Sequence, residues 1–154
     1  MTFRMMQLKQ RLHQTCLANL AAKMTDLQKA IDSIEESKRN ETKSSAGHKY
    51  ETGRAMMQME ADKITAQLEL AKQTHSQLLQ INLEQHHGHI RQGSLVVTDQ
   101  RTYFLSVSLG RVVVSEKECF CLSPDAPIGK LLLGKRVGEE IVFNGKKEKI
   151  LEVY

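Results

Sequence analysis

From Leu17 onward, apolar side chains recur at Leu17, Leu20, Met24, Leu27, Ile31 and Ile34, in steps of 3, 4, 3, 4 and 3. Steps of three and four keep one narrow stripe on one side of a helix, the seam along which two helices pack. Leu8, Leu12 and Cys16 extend that stripe towards the N-terminus. The stretch NETKSSAGHKYETGRA, residues 40–55, then interrupts it with Ser, Ala, Gly and Lys suited to an exposed bend. Beyond it the stripe returns at Met57, Ala61, Ile64, Leu68, Ala71, His75 and Leu78. No proline falls in either run, and Gly53 is the one glycine inside the second. So short a connection favours antiparallel neighbours, each burying the other's stripe. At 1.5 Å per residue, about 35 residues per helix give a hairpin on the order of 50 Å long.

From Gly93 the period changes. SLVVT, TYFLSVSL, GRVVVS, ECFCL, EEIVF and KEKILEVY are short, rich in β-branched residues and bounded by turn formers, so they read as strands. Asn144-Gly145 is a strong hairpin signal, because a type I′ turn needs positive φ at both central positions. APIGKLLLGK, with its Leu131–Leu133 cluster, predicts one short helix packed on the sheet. The expected fold is therefore α+β. An antiparallel two-helix coiled-coil hairpin occupies residues 1–85, with its tip at about 40–55, and a small β-sheet domain occupies 90–154. EQHHGHIRQG is the expected joint.

Composition narrows the function classes. Only 5% of the 154 residues are aromatic, Trp is absent and 26% are charged, which suits a thin helical pair better than one thick core. No apolar run reaches the roughly 18–20 residues of a membrane span, and MTFRMMQLKQ lacks the apolar segment of a secretory signal. Three cysteines without framework spacing point to a reducing, cytoplasmic setting. Residues 1–83 carry 12 basic and 9 acidic groups, and 84–154 carry 10 and 9, too even a balance to argue nucleic-acid binding from charge alone.

Several residues invite chemical readings. His86, His87 and His89 are metal-ligand types, but three in a short linker lack the spaced fourth ligand of a structural site. Cys119 and Cys121 share one face of a strand at a spacing unlike a zinc knuckle, so packing is the expected role. His75 occupies a seam position, as a registry-setting polar residue or one leaning to solvent rather than a ligand. Gly53 marks either a frayed helix start or the close approach of a partner backbone.

The C-terminal run SPDAPIGKLLLGKRVGEEIVFNGKKEKILEVY resembles the C-terminal domain of the GreA/GreB transcript-cleavage factors. The likeness rests on Ser123-Pro124 after a strand, on Pro127-Ile128-Gly129-Lys130-Leu131-Leu132 and on Gly134-Lys135. Val137-Gly138-Glu139, the Asn-Gly turn and the terminal strand Ile150–Tyr154 continue it, and the preceding hairpin fits the same order. The resemblance implies an FKBP-like C-terminal domain that docks on RNA polymerase core through residues such as Ser123, Pro124, Asp125, Pro127, Ile128 and Gly129. It implies a hairpin entering the polymerase's secondary channel. Tip acids there would help the polymerase hold a Mg²⁺ ion and a water, so that the polymerase cleaves the 3′ end of a backtracked transcript. The factor itself would be no enzyme. It would bind no cofactor independently, would be monomeric and would have no membrane association.

In that family the tip carries a Gly-Asp-x-x-Glu arrangement, and here it falls on Gly47, His48, Lys49, Tyr50 and Glu51. Glu51 matches the second acid and would share the polymerase's Mg²⁺, while His48 stands where the first acid belongs. Imidazole is a poor ligand for Mg²⁺. Glu41 is a second candidate acid, and Lys38, Arg39, Lys43, Lys49 and Arg54 make the bend basic, suited to transcript phosphates or channel acids. Two versions follow: one stimulates cleavage, and the other docks and inhibits or modulates. Outside this class stand a prolyl isomerase, which the sparse aromatics Tyr103, Phe104, Phe120, Phe143 and Tyr154 serve poorly, and a dimerising scaffold.

Overall fold

The computed structural model describes residues 2–42, 47–84 and 88–154, the side chains of 42 and 47–50 apart. Two long helices come first, α1 (Thr2–Thr42) and α2 (Gly47–Leu79). The strands β1 (Leu95–Thr98), β2 (Thr102–Leu105), β3 (Gly110–Val114) and β4 (Lys117–Leu122) follow. The short helix α3 (Pro127–Leu132) then precedes β5 (Glu140–Phe143) and β6 (Lys146–Val153). The architecture is the expected α+β. All six strand segments form, and the helix falls where the Leu131–Leu133 cluster placed it. None of the described helices is long and apolar enough to cross a membrane.

The chain divides into two compact units, residues 1–17 with 77–154, and residues 18–76. This division groups the first turns of α1 with the sheet, whereas the sequence pattern placed residues 1–85 together.

In the unit of residues 18–76, the less exposed positions are those of the seam. Leu20, Ala61, Leu68 and Ala71 are buried, and Met24, Leu27, Ile31, Ile34, Met57, Ile64 and His75 are half-buried. The register is antiparallel. Ala21, Met24, Thr25, Gln28 and Lys29 line one groove with Leu68, Lys72 and His75, and further along Lys38 Nζ donates to Gln58 Oε1. Positions on α1 thus fall as their partners on α2 rise. A helix with one neighbour can hide only one stripe, which is why no described α1 residue beyond Leu20 is fully buried.

In the other unit, the sheet order is β3-β4-β2-β1-β6-β5. Only β2 and β4 pair in parallel; the other neighbours are antiparallel. Alternation assigns each residue to a face. Val96, Tyr103, Leu105 and Ile150 pack with Leu132 of α3, Ile90 and Ile141, flanked by Phe120, Leu122 and Ile128. The opposite face carries Leu95, Phe104, Cys119 and Cys121, all buried, and meets the first turns of α1, where Met5, Leu8, Leu12 and Cys16 are buried too. Contacts across this layer include Cys16 with Cys121 and Arg11 with Ser115. Ile90, in the expected joint, is part of the core: its N–H donates to Lys135 O and its carbonyl accepts from Gly134 N.

Left-handed backbone shapes the two tight hairpin turns β3–β4 and β5–β6. Asn144 and Gly145 have φ of 50° and 76°, as the Asn-Gly signal requires. Ser115 and Glu116, between β3 and β4, have φ of 51° and 65° without any glycine, so no turn residue marks that bend.

Two ionisable side chains with charge to hide, Glu148 and Lys9, are buried in this unit. Glu148 accepts from Tyr103 Oη at 2.9 and 2.8 Å and from Thr98 Oγ1 at 2.9 Å, and burial with this carboxylate contact drives the phenol's pKa upward. Lys9 is 1% exposed; its Nζ donates to the main-chain oxygens of Leu83, at 2.8 Å, and Tyr154, at 3.1 Å. Burial lowers its pKa to about 8. A neutral amine keeps two N–H donors for the same two oxygens, so deprotonation removes the burial cost without breaking the clamp. Between about pH 8 and the usual lysine range the unfolded chain holds a proton that the folded one has released, so stability contributed at this site rises with pH. Denaturant titrations at pH 7 and pH 10 on wild type and Lys9→Met check this. Wild type is expected to gain stability relative to the variant at the higher pH, and a loss would reverse the sign.

Candidate functional site

Two places match the sequence candidates: the end of the hairpin where α1 and α2 are joined, and the segment that leads into α3.

Helix covers more of the tip than the bend at 40–55 suggested. α1 runs through Thr42 and α2 starts at Gly47. Lys43 lies outside the described residues, as do the side chains of His48 and Lys49, whose backbones are helical in α2. Glu51 is exposed in the second turn of α2, and Arg39 and Arg54 are exposed on the two helices. Lys38 is half-buried, pairing with Glu35 at 3.4 Å besides its bond to Gln58.

Glu41 behaves differently from Glu51. Its side chain is half-buried, and its carboxylate lies over the α-carbon of Gly53. A β-carbon at Gly53 would stand 2.9 Å from Glu41 Oε2 and 3.2 Å from Oε1. The residue sits well inside α2, and what approaches it is a carboxylate from α1 of the same chain, neither a frayed helix start nor a partner backbone. Of the two candidate tip acids, Glu51 therefore offers its oxygens to solvent, while Glu41 has turned towards the partner helix.

At the second place, the chain leaves β4 through a tight turn. Asp125 N donates to Ser123 Oγ at 3.1 Å and Ala126 N donates to Ser123 O at 3.0 Å. Pro127 opens α3, where its lack of an N–H costs nothing and its fixed φ suits the helix. Gly129 is buried against the turn: a β-carbon there would overlap the Ser123 carbonyl oxygen and stand 3.0 Å from its carbon. Pro124 and Ile128 are half-buried, whereas Asp125 and Pro127 are exposed. The six docking candidates thus form one contiguous, rigid feature, with Gly129 as its structural requirement and Asp125 and Pro127 as its accessible face.

His86 and His87 lie outside the described residues, His89 is half-buried, and no group of three metal-ligand side chains occurs among the described residues. A basic cleft that no sequence motif announced lies between the start of α1 and the β3–β4 turn. Arg4, Gln7, Arg11 and Lys117 surround it over a floor of Met5 and Leu8, and Arg11 Nη1 donates to Ser115 Oγ at 3.1 Å. Its residues lie about a hundred positions apart in sequence, so only folding reveals it.

No protein-family model matches the chain, and no curated protein does. Among solved structures, that of the transcription factor Gfh1 aligns with 94% of this chain and 94% of its own, at 17% identity and a TM-score of 0.35. A likeness that loose transfers neither residue roles nor partners.

Two substitutions test these placements. Gly129→Ala forces a methyl group onto backbone and is expected to cost about 1–3 kcal/mol, read as a fall in Tm of several degrees. At the tip, Gly53→Ala gains about 1 kcal/mol of helix propensity when Glu41 is also Ala. With Glu41 present the gain is expected to be smaller, because the carboxylate must swing away. Urea denaturation of the four proteins reads that difference as a coupling energy, and equal gains in both backgrounds would show that the carboxylate does not occupy the space.

Proposed function

We propose that this chain is a Gre-like accessory factor of bacterial RNA polymerase core, acting in the cytoplasm as a monomer and modulating cleavage of backtracked transcripts. The observation that carries the reading is the order of parts. Two continuous helices packed along a three-four seam are followed by a six-stranded sheet whose α3 segment keeps the Ser123–Gly129 pattern of the resemblance. A pair of packed helices is narrow enough to enter a channel, and side chains at its end can contribute to a site that the partner leaves incomplete.

The tip chemistry favours modulation over efficient stimulation. Hydrolysis of a phosphodiester with metal assistance draws on oxygen ligands for Mg²⁺. Here Glu51 faces solvent, Glu41 is turned onto Gly53, and His48 offers nitrogen at the place of the first acid. Bound by a single exposed carboxylate, the ion would take most of its ligands from the polymerase. The cations Lys38, Arg39, Lys43, Lys49 and Arg54 serve contact with phosphates or with acids along the channel.

Two assays test this reading. The full chain is expected to co-purify with RNA polymerase core, and failure to do so removes the proposal. In stalled elongation complexes His48→Asp is expected to raise transcript cleavage well above wild type, while Glu51→Gln abolishes the gain. Wild type cleaving as well as the Asp variant would overturn the modulating version and leave the stimulating one.

A further inference from the structure

The apolar layer between the first turns of α1 and the sheet contains an oxidisable pair. Cys16 Sγ of α1 and Cys121 Sγ of β4 lie 3.6 Å apart, 105 residues apart in sequence, and the contact is a thiol–thiol hydrogen bond. Cys16 is fully buried, Cys121 is 1% exposed, and Cys119, on the same face of β4, is also fully buried. All three are free thiols. Leu8, Leu12 and Phe104 in the same layer are apolar and inert, and Met5, the other sulfur there, is a thioether that cannot form a disulfide.

We propose that Cys16 and Cys121 are a reversible oxidation site, converted by a small oxidant of the hydroperoxide class into a disulfide that ties α1 to β4. The sulfurs need to close by about 1.6 Å to reach bonding distance. One thiolate, with Cys16 favoured because the Cys121 hydrogen bond lowers its pKa, attacks a peroxide oxygen. The O–O bond breaks, leaving a sulfenic acid and an alkoxide, or hydroxide from hydrogen peroxide, that takes up a proton to become alcohol or water. The second sulfur then displaces the sulfenic hydroxyl, which departs as water with the proton of that thiol. Two thiols and one hydroperoxide thus give one disulfide, one water and one alcohol, or two waters from hydrogen peroxide; the sulfurs are oxidised and the peroxide reduced. A thiol reductant of the dithiol class reverses the bond.

Geometry sets both selectivity and consequence. Burial excludes bulky reagents, so oxidation is restricted to small molecules and is slower than at an exposed thiol. The link closes a loop of about a hundred residues, the class in which a cross-link restricts the unfolded chain most. It pins the first turns of α1 to β4 within one compact unit and leaves the hairpin's tip chemically unchanged. The site does not depend on the proposed polymerase function.

The test uses the full chain treated with hydrogen peroxide, then blocked with a thiol reagent, digested and mapped by mass. The expected product is a Cys16–Cys121 peptide pair lighter by two hydrogens, with Tm raised on the order of 10 °C and restored by dithiothreitol. Cys119→Ala is expected to keep both the link and the Tm shift, and Cys121→Ala to lose both. Because the second variant opens a space in the layer, circular dichroism of its folded state accompanies it; if it does not fold, Cys119→Ala with the wild-type map decides alone. The proposal is overturned if oxidation joins Cys119 to either neighbour instead. It is equally overturned if native thiols resist oxidation that consumes them in the denatured chain, or if the Cys16–Cys121 link forms without moving Tm.

Discussion

The seam between α1 and α2 is the constraint on which the rest depends. Two helices alone cannot enclose a core; each can hide only the stripe that faces its neighbour. Every step of that stripe must then be small enough or apolar enough to let the axes approach. Ala61 and Ala71 supply closeness, Leu20 and Leu68 supply buried area, and towards the tip half-buried Ile31, Ile34 and Met57 maintain the packing. Gly53 belongs to the same logic in polar form. There a carboxylate from α1 occupies the space where a side chain on α2 would stand.

α1 also contributes residues to both compact units, and it changes character between them. In residues 1–17 it meets a broad sheet face, so Met5, Leu8, Leu12, Cys16 and even Lys9 disappear from solvent. From residue 18 it has a single helical neighbour, and burial becomes partial. A buried lysine is costly unless its donors are satisfied; Lys9 meets that condition by reaching the main-chain oxygens of Leu83 and Tyr154. Placing such clamps, and the Cys16–Cys121 contact, where the sheet gives full cover concentrates the unit's chemistry on the helix's first turns.

Much of this was legible beforehand because periodicity is a local property. The α2 stripe from Met57 to Leu78 was read residue by residue, and the six strands and the Asn144-Gly145 turn follow from alternation and from glycine's tolerance of positive φ. Helix extends into both ends of 40–55, α1 to Thr42 and α2 from Gly47, because Glu41, Lys49, Glu51, Arg54 and Ala55 are good helix formers among the turn-favouring residues. Features built by distant residues left little trace in the sequence pattern, Gly53 alone hinting at a close approach without naming what approaches. The Glu41–Gly53 approach, the Lys9 clamp, the basic cleft at Arg4, Arg11 and Lys117, and the facing thiols each join residues that only the tertiary fold brings together. The Ser115-Glu116 turn escaped for a local reason, since neither residue advertises left-handed backbone.

Amide hydrogen exchange across residues 18–76 tests the central claim most directly. If α1 and α2 share a packed seam, their amides exchange together and slowly, with protection highest around Leu20, Ala61, Leu68 and Ala71 and falling towards the tip. Amides of both helices exchanging at the rates of isolated, fraying peptides would contradict a packed pair, and the functional reading built on it would fall as well.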